Sequence, residues 1–231
     1  MFLASENIDF TGLSHVFLLG GGEGSFLFVK CVVQTICMYS ELVNDVIRQI
    51  KETQGHVIAI DGRCSSGKST FAKELCEALQ ADLIQMDDFF LQKAQRTAER
   101  YATPGENVDH ERVVQVLTEW KKKAPFSYRK FDCTTMSLGT EVQLPVVHEY
   151  LVVEGTYSFH KDLLPFYDYT VFFTISNEKQ KQRILKRNGE QGLKMFLEKW
   201  IPLEERYFTQ KDPAKYADVI YDSDEQRIRS K

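Results

Sequence analysis

One short segment has the composition and spacing of a phosphate-binding loop. Residues 62–70 read Gly-Arg-Cys-Ser-Ser-Gly-Lys-Ser-Thr, which matches the pattern G-x-x-x-x-G-K-[ST]. Glycine lets the backbone pass close to a phosphate, so that the N–H groups of the loop point at its oxygen atoms. Lys68 can reach the β- and γ-phosphates, and the Ser69 hydroxyl can complete the ligand shell of a Mg²⁺ ion. The predicted nucleotide contacts are Gly62, Cys64, Ser65, Ser66, Gly67, Lys68, Ser69 and Thr70.

The residues on both sides of this loop give it the expected context. The apolar run 57–60 before the loop predicts a buried strand. After the loop, Phe71, Leu75 and Leu79 recur at helical spacing, which predicts an amphipathic helix over residues 70–80. The N-terminus of such a helix attracts an anion through its dipole. Strand, loop and helix together predict that the chain binds ATP or GTP with Mg²⁺.

Carboxylate side chains follow two other predicted strands. Asp87 and Asp88 follow the strand at 82–86, and Glu154 follows the apolar run 150–153. Phosphoryl transfer needs an aligned hydroxyl, a carboxylate that orients or deprotonates it, and cations that neutralise the γ-phosphate. Asp87 is therefore the predicted catalytic carboxylate, and Ser69, Glu154 and Asp88 are the predicted Mg²⁺ ligands. Asp88 is equally suited to cap a helix over residues 89–100, and Glu154 could instead be an ordinary turn residue.

A basic segment near the C-terminus resembles a lid. Arg183 and Arg187 lie in a predicted helix over residues 177–187, and a second helix is predicted over 193–208. The glycines between these helices indicate a hinge, and the lid would span about residues 183–200. Arginines on a lid can clamp a phosphate during transfer, although a solvated helix face is the simpler alternative. The predicted catalytic residues are thus Lys68, Asp87, Arg183 and Arg187.

Composition limits the class of protein. A chain of 231 residues with 43% hydrophobic residues can bury one substantial α/β core. The net charge of −4 does not suggest a nucleic-acid footprint. The 5 cysteines form an odd number without paired spacing, so neither a disulfide framework nor a zinc site is expected. This cysteine usage predicts a cytoplasmic protein, and the sequence leaves open whether it forms a homo-oligomer.

The first residues differ from the rest of the chain. Residues 13–38 are largely apolar, but Glu23, Lys30 and a glycine cluster interrupt any membrane span. Neither lysine nor arginine occurs before Lys30, so a secretory signal is not indicated. We interpret residues 1–37 as an accessory extension of unclear role and residues 38–231 as the nucleotide-binding domain. Met38 would also be a natural start of the chain.

Helices and strands alternate from residue 39 onward. Strands are predicted at 57–61, 82–86, 150–153, 170–175 and 218–221. Helices are predicted before Gly55 and from Asp109, and residues 126–132 form an edge strand or a hairpin. Continuous apolar runs are typical of strands that are buried on both faces. The sequence therefore predicts an α/β fold, with a doubly wound parallel sheet and helices on both faces.

These motifs together resemble the uridine kinase and phosphoribulokinase family of P-loop kinases. The similar segments, in order along the chain, are 60–62 before the loop, 86–90, 104–109, 131–132, 153–155, 187–188 and 215–220. The resemblance implies a nucleoside-kinase-like P-loop fold with a helical lid, and a reaction that transfers the γ-phosphate of ATP to an alcohol. It implies that Asp87 is the catalytic carboxylate, that Glu154 serves the Mg²⁺ site and that Arg183 and Arg187 are lid arginines. The predicted substrate contacts are Asp87, Phe90, Glu106, Tyr128, Phe131 and Asp132.

Three positions depart from the family pattern. Phe131 replaces a tyrosine, Met136 stands near an expected base-reading histidine, and Thr103 stands near an aspartate that holds ribose hydroxyls. A site that reads its substrate by hydrogen bonds depends strongly on such groups. A nucleoside therefore remains the first expectation for the acceptor, with pantothenate, a sugar or a sugar phosphate as alternatives. A non-catalytic, nucleotide-binding regulatory protein is a further alternative, whereas the N-K-x-D segment of a GTPase is absent.

Overall fold

The computed structural model of the protein describes residues 38–229. The extension predicted over residues 1–37 lies outside the described residues, so its separation from the domain stays a prediction. Among the described residues, no helix is both long and apolar enough to cross a membrane.

The described residues form a central sheet and a separate hairpin. In chain order, the strands are β1 (Val57–Gly62), β2 (Asp82–Gln85), β3 (Phe126–Asp132), β4 (Ser137–Leu144), β5 (Leu151–Glu154), β6 (Tyr169–Thr174), β7 (Val219–Asp222) and β8 (Arg227–Arg229). The sheet has the order β2-β5-β1-β6-β7-β8. The first five strands of this order, β2, β5, β1, β6 and β7, pair in parallel. In this sheet the edge strand β8 pairs antiparallel with β7. The carboxyl ends of β1, β2 and β5 therefore meet at one edge of the sheet.

Helices cover both faces of this sheet. They are α1 (Ser40–Glu52), α2 (Lys68–Leu79), α3 (Ala98–Ala102), α4 (His110–Lys121), α5 (Asn177–Met195) and α6 (Ile201–Lys211). Val152 of β5 packs in one core cluster with residues of α1 and α2, whereas Leu151 and Val153 pack in a second cluster with residues of α4. Because neighbouring residues of a strand point to opposite faces, β5 is buried on both sides. The predicted doubly wound α/β fold is confirmed.

The hairpin and the edge strand refine the sequence prediction. Strand β3 pairs with β4 and not with the main sheet, so of the two expected structures for residues 126–132 the hairpin is observed. Strands β4 and β8 were not predicted, because all residues of β4 except the buried Leu144 are exposed or half-buried and β8 is exposed throughout. Such strands carry little of the apolar signal that marks a buried strand.

The helix that the sequence allowed over residues 89–100 is not observed. A 3₁₀ turn over Met86–Phe89 ends at Phe90, whose backbone is extended and forms a bridge with Val108. A short 3₁₀ turn covers Lys93–Gln95. An α-helix returns only in α3, where the Thr97 side chain accepts the backbone N–H of Arg100. Asp88 lies within the 3₁₀ turn, so it does not cap a helix.

Glycine breaks the long helical segment as expected. Gly189 has φ of 68° and ψ of −176°, a non-helical conformation that divides α5. A positive φ costs glycine little, since it lacks a Cβ atom. A π-helical turn over Phe196–Trp200 then leads into α6, which ends at Lys211 rather than at residue 208.

Candidate active site

Two glycines shape the phosphate-binding loop between β1 and α2. Gly62 has φ of 136°, and a Cβ atom there would lie 2.1 Å from the carbonyl oxygen of Phe173 in β6. Gly67 has φ of 106°, and a Cβ atom there would lie 2.1 Å from the Tyr39 hydroxyl. Any other residue would be strained and would clash at either position. The loop therefore needs both glycines of the motif, for backbone reasons alone.

Lys68 lies inside the bend of this loop. Its ammonium donates to the carbonyl oxygens of Gly62 at 2.9 Å and Arg63 at 2.8 Å. The buried hydroxyls of Ser65 and Ser66 have no hydrogen-bond partner among the described residues. Buried hydroxyls are usually paired, so these donors suit the oxygen atoms of a phosphate. The loop thus offers an ammonium and unused hydroxyls to an anion.

Helix α6 holds the first part of the loop in place. The buried carboxylate of Glu204 accepts the backbone N–H of Cys64 at 3.2 Å and the side-chain amide of Gln180 at 3.1 Å. The neighbouring Glu205 forms an ion pair with Arg63. The sequence does not predict this support, because an acid on an amphipathic helix is normally solvated. A pattern of apolar residues gives no sign that Glu204 is buried.

Ser69 and Glu154 form a site that suits Mg²⁺. The Ser69 hydroxyl donates to Oε1 of Glu154 at 3.2 Å, although the two residues come from α2 and β5. Burial raises the pKa of Glu154, and the positive charge of Lys68 opposes that rise. A buried carboxylate beside a hydroxyl supplies the hard oxygen ligands that Mg²⁺ prefers, and a bound cation would favour the ionised form.

The structure does not bring Asp88 to this pair. Asp88 is buried, and its Oδ2 accepts the Tyr128 hydroxyl at 3.2 Å and the Lys130 ammonium at 3.1 Å. It is not among the residues that line the cleft described next. In the structure the Asp88 carboxylate ties the 3₁₀ turn to β3, and its role as a metal ligand stays a prediction.

A cleft of about 460 Å³ opens in front of the loop. Cys64, Ser65, Lys68 and Ser69 line it from the loop, and Glu154 and Asp87 line it from the strand ends. The other predicted loop contacts, Gly62, Ser66, Gly67 and Thr70, are not among the residues that line the cleft. The residues at the polar end of the cleft are therefore ones that the sequence had singled out.

Asp87 stands in this cleft with its side chain exposed to solvent. Desolvation by the protein atoms around it raises the pKa of the Asp87 carboxyl group, and the negative charge of Asp88 adds to this rise. The positive charges of Lys68 and Arg187 oppose it. A carboxylate with a raised pKa is a stronger base while it remains ionised at neutral pH. Asp87 is placed to accept a proton from a hydroxyl in the cleft.

The opposite end of the cleft is mostly apolar and aromatic. The ring of Phe90 lies 6.0 Å from that of Phe131 and 5.6 Å from that of Trp200. Met136 and Met195 complete this wall, so the methionine stands in the cleft where the resemblance led us to expect a histidine. Phe90 and Phe131, both predicted as substrate contacts, do meet in the cleft. Trp200 was missed because its helical spacing fits a core residue equally well.

Three other predicted substrate contacts lie outside the cleft lining. Tyr128 is buried, stacks on Phe89 and donates to Asp88. Asp132 stabilises a turn by accepting the backbone N–H of Thr134 at 2.8 Å. Glu106 is used by two histidines. Polar residues near a predicted site thus proved to have structural partners, which the sequence does not reveal.

The cluster around Glu106 is a hydrogen-bonded one. Its two oxygens contact Nε2 of His110 at 2.8 Å and Nε2 of His160 at 3.2 Å. The two imidazole rings stack with centroids 3.9 Å apart, and Asp162 lies near both Nδ1 atoms. The three candidate ligand atoms lie within 4.8 Å of one another. The two stacked rings direct their Nε2 atoms at the same carboxylate. This arrangement suits hydrogen bonds from the rings to Glu106 better than coordination of a metal ion.

The two predicted lid arginines have different surroundings. Arg187 lines the cleft, and its Nε donates to the Asn188 side chain at 2.8 Å. Arg183 is not in the lining; it donates to the carbonyl oxygen of Ser65 at 3.2 Å. The structure therefore leaves Arg187 as the direct candidate for phosphate contact, and Arg183 supports the loop.

Comparison with known proteins identifies the fold. No family model and no curated protein matches the chain. A solved structure described as a possible uridine kinase from Bacillus stearothermophilus matches with a TM-score of 0.56 and 22% identity, over 79% of this chain and 100% of that one. A proposed fructose transport system kinase from Silicibacter sp. TM1040 matches with a TM-score of 0.55 and 18% identity, over 72% of this chain and 94% of that one.

A third solved structure, phosphoribulokinase from Rhodobacter spheroides, matches with a TM-score of 0.50 and 17% identity, over 74% of this chain and 70% of that one. The chain has the fold of the P-loop kinases. The names of these three proteins refer to a nucleoside, a sugar and a sugar phosphate as acceptors. The shared fold therefore does not identify the acceptor of this protein.

Proposed function

We propose that this P-loop protein is an ATP-dependent small-molecule kinase that transfers the γ-phosphate to a hydroxyl group, most simply that of a nucleoside, as in a uridine kinase. One observation carries the proposal: Asp87 opens into the same cleft as Lys68, Ser69 and Glu154, and an aromatic wall faces them. A base and the predicted phosphate-binding groups thus share one space with room for an organic alcohol.

The loop residues would hold the triphosphate of ATP. Lys68 would exchange its carbonyl partners for phosphate oxygens, and the Ser65 hydroxyl, which has no partner among the described residues and belongs to a residue that lines the cleft, would donate to the same anion. Ser69 and Glu154 would hold Mg²⁺, which neutralises the charge that the phosphate oxygens carry during transfer. Alignment and charge neutralisation account for most of the catalysis in this type of reaction.

Asp87 would prepare the acceptor. Its carboxylate would accept the proton of the attacking hydroxyl as that oxygen approaches phosphorus. Arg187 of α5 also lines the cleft and would add a positive charge near the transferred group. The kink at Gly189 two residues later provides a point at which this segment could close over the substrates.

Another metabolite is the second candidate for the acceptor. Met136 lies in the cleft wall, so the base-reading histidine of the resembled family has no counterpart there. The aromatic wall can hold the apolar body of several alcohols, including pantothenate. A non-catalytic nucleotide-binding protein would also need the loop, but it would have no need for Asp87.

Measurement of ADP release distinguishes these candidates. The wild-type protein would be assayed with ATP, Mg²⁺ and, one at a time, uridine, cytidine, adenosine, guanosine, pantothenate, fructose and ribulose 5-phosphate. We expect the highest rate with a nucleoside. ADP release only with another acceptor would support the second candidate, and ATP binding without turnover on any acceptor would support a regulatory role.

A further inference from the structure

Two side chains join the phosphate-binding loop to the predicted lid. Gln180 of α5 and Glu204 of α6 stand on either side of residues 183–200, here called the lid segment, and both contact Cys64. The side-chain amide of Gln180 donates to the Cys64 carbonyl oxygen at 3.3 Å, and Oε1 of Glu204 accepts the Cys64 backbone N–H at 3.2 Å. The Gln180 amide also donates to Oε2 of Glu204 at 3.1 Å. Both ends of the lid segment are therefore fixed to the same residue of the loop.

The neighbours of that loop residue contact the same two helices. Arg63 forms an ion pair with Glu205 of α6. The carbonyl oxygen of Ser65 accepts a hydrogen bond of 3.2 Å from Arg183, at the start of the lid segment. Three consecutive residues of the loop thus bond to the helices that carry the lid segment.

The polar pair is buried, although apolar residues would pack at lower cost. Gln180 is 0% exposed and Glu204 is 4% exposed. Burial of a carboxylate costs free energy, and apolar side chains of similar volume often hold such a place equally well. Hydrogen bonds depend on direction as well as distance, which apolar contacts do not. The pair therefore fixes the orientation of the two helices relative to the loop.

A single peptide group links Glu204 to Lys68. The carbonyl oxygen of Arg63 accepts the Lys68 ammonium at 2.8 Å. The N–H of the same peptide group belongs to Cys64 and donates to Glu204. A peptide group is planar and rigid, so a rotation that moves its oxygen also moves its N–H. When Lys68 turns to a phosphate, the bond that holds this carbonyl is lost, and the N–H that Glu204 accepts is free to change direction.

The charges of Lys68 and Glu204 are also coupled. Burial raises the pKa of Glu204, and the positive charge of Lys68 opposes that rise. A triphosphate bound at Lys68 would offset part of this positive charge, so the ionised Glu204 would lose part of its stabilisation. Phosphate binding at the loop thus acts on α6 through the peptide group and through charge.

The lid segment contributes to the cleft itself. Its residues in the lining are Arg187, Met195, Phe196, Lys199 and Trp200. Arg187 is the candidate for contact with the transferred phosphate. A displacement of about 1 Å can lower the rate of a reaction by about 10²-fold, so the position of this segment relative to the loop matters for phosphate transfer.

We propose that Gln180 and Glu204 are positioning residues that couple the loop to the lid segment, so that binding of a triphosphate moves the lid segment in the cleft. They act through Cys64 and not on the reacting atoms. The inference rests on the proposed function, because it requires that the loop binds a triphosphate. By linkage, an acceptor held by the moved lid segment binds more tightly once the loop is occupied.

Tryptophan emission reports on the lid segment. The chain has 2 tryptophans: Trp200 lines the cleft, whereas Trp120 is 2% exposed and is not in the lining. The wild-type protein would be titrated, in the presence of Mg²⁺, with the non-hydrolysable ATP analogue AMP-PNP and separately with inorganic tripolyphosphate. Tripolyphosphate fills the loop without bringing a base near an aromatic ring. Both ligands should change the emission, and the variant Trp200→Phe should show no change.

The double variant Gln180→Leu/Glu204→Leu removes the coupling. Because both polar groups are removed together, neither is left buried without the other. The variant should bind both ligands in calorimetry but lose the emission change. With an identified acceptor, its kcat should fall by about 10²-fold with little change in the KM for ATP. If the double variant does not fold, Glu204→Gln keeps the size of the side chain without its charge, and it should show a reduced emission change.

The control Ser223→Ala also removes a hydrogen bond to the loop. The Ser223 hydroxyl donates to the carbonyl oxygen of Ser66 at 2.7 Å, but Ser223 follows β7 and lies outside the lid segment. This variant should keep the full emission change. Loss of the change in Ser223→Ala would show that any weakening of the loop has this effect, and it would overturn the inference.

The remaining outcomes separate this inference from the proposed function. Binding of both ligands to the wild type without a change in Trp200 emission would overturn the inference and leave the kinase proposal standing. The same follows if the variant used shows the full wild-type change. If calorimetry detects binding of neither ligand to the wild type, the proposed function fails, and this inference fails with it.

Discussion

The hydroxyl of Tyr207 donates a hydrogen bond of 2.8 Å to Oδ2 of Asp61. Asp61 is fully buried at the end of β1, directly before the phosphate-binding loop. Its carboxylate also accepts the backbone N–H groups of Gly62, Tyr157 and Phe159. One carboxylate therefore joins α6, the start of the loop and the turn after β5, which makes it the structural centre of the candidate active site.

Removal of the Tyr207 hydroxyl should destabilise the protein. Tyr207→Phe leaves the buried Asp61 oxygen without one of its donors, and we expect the free energy of unfolding to fall by about 1–3 kcal/mol. For a domain of this size, each kcal/mol lowers the melting temperature by about 2–4 °C. Tyr216→Phe is the control, because Tyr216 is 47% exposed. Equal melting temperatures for both variants would show that the Tyr207 bond does not support the fold.

The adjacent acids Asp87 and Asp88 should differ in effect. Asp87→Asn should lower kcat by about 10²–10⁴-fold, the usual effect of losing a general base, while ATP binding measured by calorimetry is retained. Asp88→Asn should leave kcat close to wild type but lower the melting temperature, because Asp88 pairs with Lys130 and Tyr128. A loss of turnover in Asp88→Asn at unchanged stability would return Asp88 to the metal site.

Glu154→Gln should weaken the use of Mg²⁺ more than the binding of nucleotide. The amide keeps an oxygen acceptor for Ser69 but lacks the charge that a divalent cation favours. We expect the Mg²⁺ concentration for half-maximal rate to rise by about tenfold, as for the loss of one supporting ligand. Glu149→Gln, at an exposed position, serves as the control. An unchanged Mg²⁺ requirement in Glu154→Gln would remove Glu154 from the proposed cation site.

The lid arginines should separate binding from turnover. Arg187→Ala should lower kcat by about 10²-fold, because a positive charge that acts on the transferred phosphate is lost. Arg183→Ala should chiefly raise the KM for ATP, since Arg183 holds the carbonyl oxygen of Ser65 in the loop. Similar changes of kcat in both variants would contradict the division of roles that their different surroundings indicate.

The sequence predicted those parts of the molecule that depend on local backbone rules. The order of residues in the phosphate-binding loop is set by the conformations of Gly62 and Gly67, and apolar runs such as β1 and β5 mark strands buried on both faces. The break at Gly189 was visible for the same reason. These features follow from residue type and spacing alone.

The parts that the sequence did not predict depend on contacts between distant segments. Glu204 lies 140 positions from Cys64, and His160 lies 54 positions from Glu106. A polar residue carries no local sign of whether it lines the cleft, as Asn107 does, or pairs with other side chains outside the cleft, as Glu106 does. The adjacent acids Asp87 and Asp88 carry no local sign of which one lines the cleft, and only packing gave them different neighbours.

The stacked histidines should make the stability of the protein depend on pH. Burial and the neighbouring His110 lower the pKa of His160, while Glu106 opposes this shift. Burial raises the pKa of Glu106, but hydrogen bonds from His160 and His110 outweigh that effect and the net pKa is lowered. Asp162 faces the Nδ1 atoms of both rings, so the cluster contains two imidazoles between two carboxyl groups.

Both shifts act in the same direction on stability. A lowered pKa means that the folded state binds fewer protons than the unfolded state, so stability is present above the unfolded pKa and is lost as the pH falls. For His160, the loss begins below about pH 6.5, the ordinary value for histidine, and that of Glu106 follows below about pH 4.3. We therefore expect the contribution of this cluster to the free energy of unfolding, from urea titrations of wild type and variant, to be lower at pH 5.5 than at pH 7.5.

The variant His160→Asn removes the titrating ring and keeps a donor for Glu106. It should reduce the difference in unfolding free energy between the two pH values, whereas the control His56→Asn, at an exposed position, should preserve it. If His160→Asn shows the same pH dependence as the wild type, the stability change arises from other groups and the cluster is not its source. Because Glu106 lies beside Asn107, a proton taken up by the cluster would also loosen one wall of the cleft. The KM of the preferred acceptor should then rise over the same pH range in the wild type and less in the variant.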